Sequence, residues 1–156
     1  MIPLDGRLSW RQTAPFHVQL ELESSGQFRV PGEIRVHGRV VRVFRSDGRL
    51  ALSDRVAFKL WVCRTGDEPT GPAYVYYDDF VEATHMEVYL HGTPPECELA
   101  AYEFTILNAP SAEPSMTVEQ LEELLARYNN IWMKPRKEPS QETQTRAKRW
   151  WQFWKT

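Results

Sequence analysis

The sequence has little cysteine and no long apolar run. Cys63 and Cys97 are its two cysteines, and neither lies in a Cys-x-x-Cys pair, which excludes the disulfide framework of a small secreted domain. No apolar stretch approaches the roughly 18–20 residues that a membrane span requires, and the first residues lack the pattern of a secretory signal. We therefore expect a cytoplasmic protein without integral membrane contact, whose two thiols are reduced and half-buried.

Motifs of catalysis and metal binding are also missing. The chain contains no nucleophile elbow, no phosphate-binding glycine loop and no His-Glu-x-x-His motif. His85, His91 and Cys97 are evenly spaced, but zinc ligands usually come in close pairs. We expect a protein that is not an enzyme and that has no cofactor and no metal site.

Charge is unevenly distributed along the chain. Residues 35–64 contain eight Lys or Arg against two acids, whereas residues 65–126 contain thirteen Asp or Glu and no Lys or Arg. Residues 134–156 are basic again, with seven Lys or Arg against two acids. This asymmetry predicts that a basic strip or the tail meets an anionic partner, unless the tail lies on the protein's own acidic body. Within the acidic stretch, Glu87 is expected to point outward and to repel phosphate.

Alternating apolar side chains predict a mostly β protein. Residues 18–22 indicate a strand, and residues 27–30 are expected to return as the second strand of a hairpin. In the next strand the apolar parity changes after Val40, which indicates a β-bulge, and Gly38 fits a sharp bend there. Four further strands are predicted at residues 56–62, 73–77, 86–90 and 97–107, the last with a second change of parity.

Two helices are predicted. Asp78 and Asp79 are expected to cap the N-terminus of a short helix, which explains them more simply than an acidic site does. Thr117 and Gln120 form a capping box. The helix that they begin carries an apolar stripe of Val118, Leu121, Leu125, Tyr128 and Trp132. Residues 134–149 are almost entirely polar and are expected to be disordered.

This order of elements resembles the OB-fold, a small Greek-key barrel whose second and third strands bind single-stranded nucleic acids or sugars. The resemblance covers about residues 33–107 and rests on the strand order, on Gly38 with the bulge, and on the short helix. An unrelated small barrel or sandwich is the alternative. Together with the patterns on either side of it, this resemblance leads us to expect an all-β fold in four parts: an N-terminal extension with a hairpin (1–32), an OB-like barrel (33–109), a linker with a C-terminal amphipathic helix (110–133), and a disordered basic, Trp-rich tail (134–156).

Side-chain parity predicts a binding surface on this barrel. If the aliphatic row at residues 56–62 fills the interior, Trp61 and its polar neighbours point outward. Bases stack on aromatic rings, and Arg and Lys neutralise phosphates. The predicted nucleic-acid-binding residues are Arg35, Arg39, Arg42, Phe44, Lys59, Trp61, Tyr74 and Tyr76. In the alternative interpretation, the C-terminal helix or the N-terminal hairpin covers Trp61, and the tyrosines only form cross-strand pairs.

The last eleven residues combine cations with aromatic rings, which indicates a binding segment. The segment is predicted to fill a groove on a partner protein or on its own barrel, to lie on an anionic membrane surface, or to stack on nucleic acid. Its partner-binding residues are expected to be Arg149, Trp150, Trp151, Phe153 and Trp154.

Together these patterns predict a non-catalytic accessory protein that binds single-stranded nucleic acid. The alternative is a protein–protein interaction module of a larger assembly, which docks through the C-terminal helix and the Trp-rich tail.

Overall fold

The computed structural model describes residues 4–23, 27–71 and 74–132. In chain order the elements are α1 (Leu4–Thr13), β1 (Phe16–Leu22), β2 (Gly32–Arg45), β3 (Arg55–Cys63), β4 (Tyr74–Tyr76), α2 (Tyr77–Glu82), β5 (His85–Thr93), β6 (Glu96–Leu107) and α3 (Val118–Trp132). The chain divides into two compact units, residues 1–122 and 123–156. Within the described ranges, no helix has the length and apolar character needed to cross a membrane.

Five of the strands close into a ring. β1 pairs antiparallel with both β2 and β5, β2 pairs antiparallel with β3, and β5 pairs antiparallel with β6. The ring closes where β3 meets β6 in parallel, with Ala57 opposite Glu96. The short β4 adds to β3 in parallel. The prediction of a mostly β protein is therefore confirmed.

The inside of the ring is an apolar core. The row predicted to face inward on β3, which consists of Val56, Phe58, Leu60 and Val62, is at most 2% exposed. β1, β2 and β5 contribute their own inward rows to the same cluster: Phe16, Val18, Leu20, Ile34, Val36, Val40, Met86, Val88 and Leu90. The inward parity predicted for these strands is confirmed.

Both predicted changes of parity are present as register shifts. Leu20 of β1 lies opposite Val40 but Gln19 lies opposite Arg42, so that one residue of β2 is extra at Val41. On β6, the partners of Val88 and Leu90 are Phe104 and Leu99, which leaves a longer irregular stretch between them. A bulge re-aims the side chains that follow it, so apolar residues can continue to face the core on both sides of each shift.

The prediction of a separate N-terminal hairpin at residues 1–32 is wrong. β1 belongs to the ring because it has a strand partner on each side, and residues 27–30 are not in a strand. Residues 4–13, for which no periodic pattern predicted an element, form α1. The alternation in residues 18–22 identified the strand, but it does not say how many neighbours a strand has.

The helix termini differ in how well they were predicted. At α2 the N-cap is Tyr76, which makes no side-chain capping bond, and Asp78 and Asp79 lie in the first turn; the predicted aspartate cap is wrong. At α3 the capping box is confirmed, because the Thr117 amide donates to Gln120 Oε1 (2.9 Å) and the Gln120 amide donates to Thr117 Oγ1 (3.3 Å). Of the predicted stripe, Leu121 is buried but Val118 is 60% exposed.

Candidate functional site

Seven outward side chains in the paired part of β2 and β3 form one largely exposed surface, which we call the open face. Its members are Glu33, Arg35, His37 and Arg39 on β2 and Arg55, Lys59 and Trp61 on β3. All of them are exposed except Trp61, which is half-buried. The parity predicted for Arg35, Arg39 and Lys59 is thus confirmed. These residues form one surface because β2 and β3 pair without a register shift from Gly32 to Arg39.

Like charges face each other across this strand pair. Arg35 lies directly opposite Lys59, and Arg39 lies directly opposite Arg55. Like charges in such positions destabilise a sheet, because the side chains of directly opposed residues are neighbours. The open face therefore holds two rows of two cations, each row running across β2 and β3, and His37 of β2 lies between the two rows.

Each of these four cations has a carboxylate partner. Lys59 Nζ lies 2.8 Å from Glu33 Oε1, and Arg55 Nε lies 2.9 Å from Glu23 Oε1. Arg35 pairs with Glu96, and Arg39 pairs with Glu21. The basic strip expected from the sequence is consequently neutralised by one acid each from β1, β2 and β6 and by Glu23, which follows β1, although exposed ion pairs of this kind are weak.

Three aromatic side chains lie at one end of the open face, and we call them the aromatic cluster. Trp61 of β3 is opposite Tyr74 of β4, and the rings of Tyr74 and Tyr76 are 5.7 Å apart in an edge-to-face arrangement. Tyr74 is 36% exposed. The indole Nε1 of Trp61 is shielded from solvent and has no hydrogen-bond partner among the described residues. Trp61 is thus partly covered, between the two alternatives that the sequence left open.

Tyr76 is engaged by a neighbouring carboxylate. Its hydroxyl donates a hydrogen bond to Glu68 Oε1 over 3.0 Å, and this bond, helped by a contact with Tyr74, raises the pKa of Tyr76 to about 12. The carboxylate of Glu68 therefore holds the phenol in its neutral form beside the exposed Tyr74.

Arg42 and Phe44 do not join the other six predicted binding residues. Both follow the bulge, in the part of β2 that pairs with β1 beyond the last pair with β3. The ring of Phe44 lies 4.8 Å from that of His17, and Arg42 Nε is shielded without a hydrogen-bond partner among the described residues. Both side chains point outward as predicted, but they lie on a different surface of the ring.

That second surface, which we call the covered face, consists of the outward side chains of β1, the central part of β5 and the end of β2. His17, Gln19, Glu87 and Tyr89 are its buried members. The prediction that Glu87 repels phosphate from the surface is wrong, because this side chain points outward but is 0% exposed.

Glu87 is the centre of a hydrogen-bond network on the covered face. His17 Nε2 lies 2.8 Å from its carboxylate, Gln19 Nε2 donates over 3.2 Å, and Ser115 donates from both its amide (3.0 Å) and its hydroxyl (2.9 Å). Gln19 also accepts a bond of 2.8 Å from the amide of Ser111. Two paired residues of adjacent strands thus hold the chain segment that leads to α3 against the ring.

Helix α1 is held to the same face by arginines. Arg11 pairs with Glu103 of β6, with 2.9 Å between Nε and Oε2, and its guanidinium lies over the Tyr89 ring at 5.3 Å. Arg45 donates to the carbonyls of Arg11 and Gln12, which are among those that a helix leaves unbonded in its last turn. These contacts explain why outward residues of β1 and β5 are buried.

The network changes the acidity of its central carboxyl. Burial would raise the pKa of Glu87, but the hydrogen bonds from His17, Ser115 and Gln19 outweigh it and lower the pKa below the ordinary 4.5. Because the folded pKa is depressed, Glu87 contributes stability that is fully present above pH 4.5 and is lost as the pH falls through the folded value.

We therefore expect the stability difference between the wild type and Glu87→Gln to shrink when the pH is lowered from 7 to below 4.5. Urea unfolding at a series of pH values measures this difference directly. A difference that stays constant or grows as the pH falls would contradict the depressed pKa.

Sequence reasoning missed the covered face entirely. The only signal was the polar run Gln19, Glu21 and Glu23 alternating with apolar residues, and this pattern is typical of a solvent-facing row. The predicted partner-binding residues Arg149, Trp150, Trp151, Phe153 and Trp154, and the whole tail at 134–156, lie outside the described residues.

Among the residues that the structure describes, no three His, Cys, Asp or Glu side chains are grouped as a metal site would need. Cys63 and Cys97 are buried free thiols, and burial raises the pKa of both. Comparison of the chain with protein-family models and with curated proteins finds no match.

Proposed function

We propose that the chain is a non-catalytic, OB-type barrel protein that binds single-stranded nucleic acid on the open face. The connectivity supports the barrel type, because β1, β2 and β3 are consecutive antiparallel neighbours and β6 lies between β3 and β5. A short helix precedes the fourth strand of the ring. OB-folds bind oligonucleotides on their second and third strands, which correspond to the open face.

The cross-strand pairs of like charge are the observation that carries the proposal. A sheet selected for stability alone gains nothing from Arg35 opposite Lys59 or from Arg39 opposite Arg55. Departures from such local rules concentrate at functional sites. A phosphate placed between two opposed cations turns their repulsion into two attractions, so a polyanion would stabilise this surface.

The aromatic cluster supports the same ligand. Trp61 and the exposed Tyr74 are neighbours on adjacent strands, at the end of the open face next to Lys59. Base stacking on an aromatic side chain contributes about 1–3 kcal/mol per base and tolerates any sequence. A single-stranded nucleic acid that stacks a base on the aromatic cluster can place its next phosphates over the two cation rows.

The test is the affinity of the full chain for a dye-labelled single strand of about twelve nucleotides, within the site size of such domains, measured by fluorescence anisotropy. Trp61→Ala is expected to weaken binding about 5- to 150-fold, which corresponds to one stacked base. Tyr74→Ala, which removes an exposed side chain and leaves the core intact, should weaken binding in the same direction.

Trp10→Ala is the matched control. Trp10 is 45% exposed but belongs to α1, where its ring lies 5.8 Å from that of His91. Its removal should leave the affinity within about twofold of the wild type. Equal affinity of Trp61→Ala, Tyr74→Ala and the wild type would refute the proposed site, as would the absence of binding by the wild type.

A protein-interaction module is the second candidate, and the exposure of Val118 at the start of α3 favours it, because an apolar side chain at 60% exposure is available to a partner. Its test is to replace Trp150, Trp151 and Trp154 with serine in the full chain. Loss of a captured partner with unchanged oligonucleotide affinity would support this candidate, and unchanged capture would refute docking through the tail.

A further inference from the structure

We propose that four carboxylates, Glu21, Glu23, Glu33 and Glu96, occupy the phosphate positions of the open face in the free protein and thereby select a polyanion over a single phosphate. We call them the rim carboxylates. This inference rests on the proposed function and specifies the class of ligand: an oligonucleotide with several phosphates, rather than a mononucleotide.

The arrangement of the ion pairs carries the inference. The four cations lie in two rows across β2 and β3, and each pairs with a different rim carboxylate. The carboxylates lie around these rows. Glu21 of β1 is opposite Arg39, and Glu96 of β6 is opposite Ala57. Glu33 of β2 is opposite Trp61. The acids thus surround the cations and neutralise them one for one.

These ion pairs are weak enough for a ligand to replace them. Every partner is substantially exposed, from 38% for Glu23 to 77% for Arg55, and exposed ion pairs contribute little because water and salt screen them. A rim carboxylate can therefore swing away from its cation without unfolding the sheet. What remains is the competition between a tethered carboxylate and an incoming phosphate.

That competition depends on the number of phosphates in one ligand. A single phosphate exchanges one ion pair for another and remains close to the other rim carboxylates, which repel it. An oligonucleotide replaces several carboxylates in one association event, because its second and third phosphates bind as if from a high local concentration. The rim carboxylates therefore suppress binding of free phosphate and mononucleotides more than binding of a strand.

The test compares two variants that carry the same change of net charge. The rim variant is Glu21→Gln, Glu23→Gln, Glu33→Gln and Glu96→Gln in one chain. The control variant is Glu82→Gln, Glu98→Gln, Glu119→Gln and Glu122→Gln, which replaces exposed carboxylates that belong to none of the four ion pairs. Thermal unfolding verifies that both variants fold.

The ligands are the labelled strand of about twelve nucleotides and, as competitor, a nucleoside monophosphate. Each displaced surface ion pair changes the affinity only severalfold, so the rim variant, which lacks four such pairs, is expected to bind the strand at least about tenfold more tightly than the wild type. The control variant is expected to bind the strand with an affinity within about threefold of the wild-type value. From this competition, the ratio of the Kd of the monophosphate to the Kd of the strand should be lower for the rim variant than for the wild type.

The outcomes separate the inference from the function on which it rests. Equal affinities of the rim and control variants, with a wild type that binds through Trp61, would overturn the role of the rim carboxylates and leave the proposed function intact. Binding by the rim variant alone would support strong suppression by the rim. Absence of binding by all three proteins would overturn both.

Discussion

Replacing Glu87 with alanine is expected to lower the free energy of unfolding by about 3–5 kcal/mol, the usual loss when one partner of a buried charged network is removed. The carboxylate accepts hydrogen bonds from His17, Gln19 and Ser115, and these groups would stay buried without their acceptor. Urea unfolding followed by far-ultraviolet circular dichroism measures the loss. Faster amide exchange at Ser115 should accompany it.

The matched control is Glu98→Ala on β6, an exposed carboxylate whose Oε2 lies 3.7 Å from His91 Nε2. Surface substitutions of this kind usually change stability by no more than about 0.5 kcal/mol. A loss below about 1 kcal/mol for Glu87→Ala would show that the network does not hold residues 111–115 against the ring.

Valine in place of Gly38 is the second large expected effect, a loss of about 1–3 kcal/mol from overpacking. A Cβ atom at this position would lie 3.0 Å from Leu20 Cβ and 3.2 Å from the carbonyl oxygen of Glu21. The second contact is with backbone, which cannot rotate away, and valine adds two further methyl groups to this confined position. Thermal unfolding measures the effect.

His37→Val is the control for β-propensity. His37 is the neighbouring residue on β2 and is exposed, so that valine there has no close neighbour to displace and suits a strand. Its melting temperature should stay close to that of the wild type. If Gly38→Val melts at the same temperature as His37→Val, the close approach of β1 to Gly38 is not a constraint on the sheet.

The inward half of the fold was predictable because it follows from a local rule. Alternation at residues 56–62 placed four apolar side chains in the core, and a change of parity near Val41 located a bulge. The outward half depends on contacts between distant parts of the chain. Gln19 and Glu87 alternate with apolar residues as a solvent-facing row does, yet Ser111 and Ser115 cover them.

The candidate site shows the same division. The exposure of Arg35, Arg39 and Lys59 followed from parity, but their neutralisation did not, because Glu21 and Glu96 lie on strands that the sequence does not place beside them. Phe44 was misplaced for a related reason. A bulge shows that a side chain is re-aimed but not which neighbouring strand it then faces.

Nuclear magnetic resonance tests the central claim most directly, by comparing the amide spectrum of the full chain before and after the single strand is added. The account predicts that the largest shifts occur at Arg35, His37, Lys59, Trp61 and Tyr74, and that Gln19, Glu87 and Tyr89 on the covered face keep their positions. Shifts confined to the covered face, or a spectrum that does not change, would contradict it.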